Sequence, residues 1–95
     1  MDYITNNDTI VFNPNFNKEL DIKLISGFSK LIFSNYKLNN NIFEYYANNN
    51  FHCLIPETSK FNKNVSKLPY SITHLRFGSY FNQDVSNLPP FLIHL

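Results

Sequence analysis

Apolar and polar positions alternate in short bursts along this chain. Leu75-Arg76-Phe77 reads apolar, polar, apolar, the pattern of a short strand with one buried face. Gly78 and Ser79 then turn the chain, and Leu88-Pro89 starts an extended return, because proline disfavours helix before itself. The same grammar recurs upstream at Ile10-Val11-Phe12, Leu31-Ile32-Phe33 and Cys53-Leu54-Ile55, and a last strand begins at Ile93. Strand centres then fall at Phe12, Phe33, Ile55 and Phe77. Leu20, Leu24, Phe28, Leu31 and Ile32 also fit a helical stripe, and Asn41 to Ala47 is compatible with helix. Only a short helix near Lys18 to Ser26, ended by Gly27, leaves the strand register intact.

Repetition gives the pattern its weight. Phe61 to Leu75 and Phe81 to Leu95 share 8 of 15 positions: FNKNVSKLPYSITHL against FNQDVSNLPPFLIHL. A fixed short period is the signature of stacked repeats that bury nothing alone. The expected fold is a mainly β repeat solenoid, leucine-rich-repeat-like, with one short parallel strand per repeat and little helix. Residues 1–95 form a single such unit, clearest over 54–95. Three apolar columns are expected. Ile10, Leu31, Cys53, Leu75 and Leu95 stack in one, Phe12, Phe33, Ile55 and Phe77 in a second, and Phe16, Leu38, Phe61 and Phe81 in a third. Asn17, Asn39, Asn62 and Asn82 follow the last column as a structural ladder. Buried amides there would hydrogen-bond the backbone of the adjacent turn.

The stretch LPYSITHLRFGSYFNQDVSNLPPFLIHL resembles the FNIP repeat, a relative of the leucine-rich repeat found mainly in amoebae and in the large DNA viruses that infect them. The matching residues are Leu68-Pro69, Ser71, Ile72, Leu75, Phe77-Gly78, Phe81-Asn82-Gln83 and Leu88-Pro89. The family's later proline is replaced by Glu19, Asn41, Asn64 and Asp84, and the first two repeats lack Leu-Pro. Many relatives carry an F-box ahead of the repeats, which implies substrate adaptors for ubiquitin ligases. The segment before Ile10 is too short for that domain, so the resemblance implies a binding scaffold and not the ligase role.

Charge narrows the partners. Eight basic against seven acidic side chains give a net charge of +1, with no general pull toward nucleic acid or anionic membrane. Lys60, Lys63 and Lys67 read as solvated loop charges. The lone Cys53 excludes an intrachain disulfide, MDYITNNDTI lacks the features of a signal peptide, and no apolar run approaches a membrane span. An intracellular, cytoplasmic location is expected (host cytoplasm if viral). Sixteen Asn and only two Gly fit AT-rich coding better than any physical role.

Catalysis finds little support. Cys53 and His52 are neighbours on an expected strand, so their side chains point to opposite faces, and Gly27 and Gly78 stand too far apart for a phosphate loop. No enzyme activity, cofactor or metal site is expected. His52, His74 and His94 would line one exposed column, but a row of imidazoles is not the tetrahedron zinc prefers.

A protein or peptide partner is expected on the exposed sheet face, which carries Thr9, Val11, Lys30, Ile32, His52, Leu54, His74, Arg76 and His94. His52, Leu54, His74 and Arg76 are the residues assigned to binding. Leu95 opens a strand that no cap follows, so self-association through the C-terminal end is also expected. The alternative is a vestigial fragment of a longer repeat protein with no activity of its own.

Overall fold

The structure, a computed structural model, describes residues 2–83 together with Val85 and Leu88. The strands β1 (Tyr3–Asn6), β2 (Thr9–Phe12), β3 (Lys30–Phe33) and β4 (His74–Arg76) form one sheet in the order β1-β2-β3-β4. β1 and β2 are an antiparallel hairpin with Asn6 opposite Thr9. The turn between them places Asn7 at φ 53, a left-handed conformation that asparagine tolerates better than bulkier residues. β3 runs parallel to β2, and β4 parallel to β3.

The connections explain the rest. Helix α1 (Ile22–Ile25) lies between β2 and β3, and the Asp21 carboxylate accepts from the Lys23 and Leu24 N–H groups to start it. The second connection is longer and contains helix α2 (Ile42–Ala47), entered through an Asn39 side chain that accepts from the Asn41 N–H. Residues 34–58 leave the sheet and return to it. Their base is held by Lys37 N–H to the Ile55 carbonyl, Glu57 N–H to the Asn35 carbonyl, and Ser59 N–H to Asn35 Oδ1, each at 2.9 Å. Gly78 packs against this seam. A β-carbon there would overlap Ser59 and sit 2.8 Å from Asn35 Oδ1, so only glycine fits.

Strand alternation sends Ile10, Phe12, Leu31, Phe33 and Leu75 to one face, where Phe16, Ile25, Phe61, Val65, Leu68 and Ile72 close the larger core. Phenylalanine rings run through it. Phe12, Phe33 and Phe77 stack at centroid spacings of 5.0 and 5.7 Å, and Phe16, Phe61 and Phe81 at 5.9 and 6.0 Å. Burying each such side chain contributes about 1.5–3 kcal/mol. On the other face Val11, Ile42, Tyr46 and Leu54 form a second cluster, so β2 is covered on both sides.

These findings overturn the repeat solenoid. The sheet is mixed, a hairpin opens it, and β3 pairs directly with β4. Residues 53–55 form no strand, Cys53 is exposed, and Ile55 is 61% exposed. Ile55 therefore occupies no place between Phe33 and Phe77, whose rings stack on each other. The physical reason is the folding of 34–58 as a separate flap, which takes two apolar segments out of the expected columns. Leu38 joins the second cluster instead of the Phe16 row, where Phe61 stands. The expected helix near 18–26 is the single turn of α1, because Asp21 caps it late and Ser26 ends it. The strand at Ile93 and the end at Leu95 lie outside the described residues.

Candidate functional site

Between the sheet and α2 lies an open groove of about 540 Å³. Its floor comes from alternate positions of three strands. Thr9 of β2, Lys30 and Ile32 of β3, and His74 and Arg76 of β4 share a face, with Lys30 opposite His74 and Ile32 opposite Arg76 in the pairing. The wall is Phe43, Tyr46, Ala47 and Asn49 from α2 and its exit. Asn49 adopts φ 52, which turns the chain sharply back after the helix.

Tyr46 is held from behind. The Tyr46 hydroxyl donates to Ser34 Oγ at 3.2 Å and accepts from the Asn35 N–H at 3.2 Å, while Ser34 Oγ donates to the Tyr36 carbonyl at 2.7 Å. Burial raises the Tyr46 phenol above its ordinary value, and the Ser34 hydrogen bond only partly offsets this. Tyr36, Tyr46 and Phe51 form an aromatic trio, with Tyr36 and Phe51 stacked at 4.9 Å. Arg76 reaches over it, its guanidinium carbon 5.1 Å from the Tyr46 ring centre and 5.8 Å from that of Phe51.

The strand entries are tied by parallel contacts. The Asp8 carbonyl accepts from the Ser29 and Lys30 N–H groups, and the Ser29 carbonyl accepts from those of Thr73 and His74. The Ser29 hydroxyl donates to the Asp8 carboxylate at 3.0 Å and lowers its pKa below the usual 3.8, with Thr9 and Lys30 adding to the shift. His74 Nδ1 lies 2.9 Å from Thr73 Oγ1, which fixes the ring on the groove floor.

The residues assigned to binding divide. His74 and Arg76 line the groove. Leu54 is 5% exposed within the second cluster, beside the fully buried Val11, so the expected apolar stripe is covered by the chain's own flap. His52 lies in an exposed turn away from β4, so it shares no column with His74, and His94 lies outside the described residues. Cys53 is in the same turn, and its thiol raises the pKa of Tyr45 beside it. Among the described residues no three or more His, Cys, Asp or Glu side chains gather as a metal site would need.

The asparagines divide too. Asn17 Oδ1 accepts from the Asn62 N–H at 3.0 Å, and Asn62 Oδ1 from the Asn82 N–H at 2.9 Å. All three are exposed where burial was expected, and Asn39 stands apart at the entrance to α2.

Sequence reading missed Phe43, Tyr46, Ala47 and Asn49. The signal was the run Ile42-Phe43-Glu44-Tyr45-Tyr46, whose apolar residues at positions 42 and 46 share one helical face. No helix among the described residues is long and apolar enough to cross a membrane. No family model matches the chain, and it has no match among the curated proteins or the solved structures compared.

Proposed function

We propose that this chain is a non-enzymatic interaction module of the cytoplasm, and that it takes a protein or peptide segment in the groove between the sheet and α2. One observation carries the reading: an open groove of about 540 Å³ combines a rigid strand floor with an aromatic wall at Phe43 and Tyr46. Pockets that place a few oriented polar groups among apolar ones are the usual form of a binding site. The exposed thiol of Cys53 supports a reducing compartment. Kinship with FNIP repeats is proposed on the strength of the residue pattern over 68–95.

Peptide-display selection against the folded chain tests this. Captured peptides should lose at least about tenfold in affinity on Phe43→Asp, which is about 1.4 kcal/mol. Circular dichroism on the variant would verify that the sheet persists. Peptides whose binding ignores Phe43→Asp in a folded variant would overturn the assignment of the groove.

A further inference from the structure

The charge of the groove is one-sided, and that names the chemistry of its occupant. Lys30 and Arg76 line it, with the His74 imidazole opposite Lys30, and among the described residues no Asp or Glu does. The sheet register holds them together: Lys30 and His74 are paired across β3 and β4, and Arg76 lies one pleat further along the same face. Adjacent strands are about 4.8 Å apart and same-face neighbours about 7 Å apart, the scale on which successive acidic side chains of an extended peptide are spaced.

Lys30 and Arg76 are also available: among the described residues neither is held in a close ion pair. Arg76 rests on the rings of Tyr46 and Phe51, which orders its long side chain while leaving the guanidinium edge to donate. Lys30 feels Asp8, whose carboxylate is engaged by Ser29 at the strand entry and does not line the groove. Beside these charges stand Ile32 and Phe43.

We infer that the partner is an acidic peptide segment carrying an apolar side chain, with its carboxylates on Lys30 and Arg76 and its apolar group against Phe43 and Ile32. This rests on the groove being the binding site. A nucleic acid fits less well, because the chain's formal net charge is only +1 and affinity for a phosphate backbone grows with the number of cations engaged.

Three fluorescein-labelled peptides of one length test the inference, each with a central Leu-Phe flanked by Glu, Gln or Lys, with a single-stranded oligonucleotide as a fourth probe. At low salt the Glu peptide should bind about tenfold tighter than the Gln peptide, and raising ionic strength past about 0.3 M should erase the difference. The double variant Lys30→Gln, Arg76→Gln should remove the preference, bringing Glu- and Gln-peptide affinities to within about twofold of each other; a Glu preference that survives in the folded variant overturns the charge inference. Equal binding of Glu and Gln peptides overturns the charge inference and leaves the groove standing. Tighter binding of the Lys peptide or the oligonucleotide overturns it in favour of another partner. Failure of all four probes overturns both readings.

Discussion

The two faces of the sheet are built on different principles. One is closed by residues that the strand pattern itself supplies, in two rows of stacked phenylalanines that cross from β2 through β3 to Phe77 and Phe81. The other is closed by a flap, residues 34–58, that leaves the sheet after β3 and folds back with an aromatic trio and a short helix. The first face is continuous apolar packing. The second is smaller, tied by hydroxyls at Ser34 and Tyr46, and open along one side where the groove lies. The larger packed core therefore lies on one face and the open groove on the other.

That contrast can be broken at its strong end first. Phe33 is 1% exposed and touches Phe12, Phe61 and Phe77. Phe33→Ala should cost about 3–5 kcal/mol. A small domain has about 5–15 kcal/mol in total, so the whole sheet should melt far earlier in a thermal scan. Tyr46→Phe should cost less, about 1–2 kcal/mol, because it leaves the Asn35 N–H without its acceptor. Amide exchange should then accelerate over 34–58 before it does in β2 and β3; uniform acceleration would mean that the two faces open as one unit.

The Tyr46 phenol also sharpens the comparison at high pH. Its folded pKa is raised above 10.0, so its contribution is complete below that value and is lost as pH rises through the folded one. Denaturant titrations above pH 10 should show a larger loss in the native chain than in Tyr46→Phe, where only the raised Tyr45 remains of the two.

The smallest effect is at the strand entries. Asp8 is lowered below 3.8, so its contribution is present above that value and is lost as pH falls through the folded pKa. Asp8→Asn should flatten this acid limb slightly while leaving the alkaline one unchanged.

Sequence showed which residues line one face of the sheet and misread the other. Ile10, Leu31 and Leu75 are partners in the sheet because alternation fixes which side chains point inward. Phe16-Asn17, Phe61-Asn62 and Phe81-Asn82 make like contacts. Leu38-Asn39 and Cys53-Leu54-Ile55 follow a similar apolar pattern and do neither, because strand pairing is decided by distant partners. The β1 strand was missed although Asn6-Asn7-Asp8 is a turn signal between apolar residues. The groove wall was illegible for a related reason: α2 faces the sheet only because the flap returns to its own base.

That base has a consequence for how such a chain changes over generations. Asn35 and Ser59 are joined directly, with Gly78 seated against both, so the sheet meets the intervening stretch at a fixed doorway. Insertions or deletions beyond the doorway leave the pairing of β3 with β4 where it is. Changes of length within 34–58 are thus taken up on the far side of that doorway, while the phenylalanine stack behind it keeps its spacing.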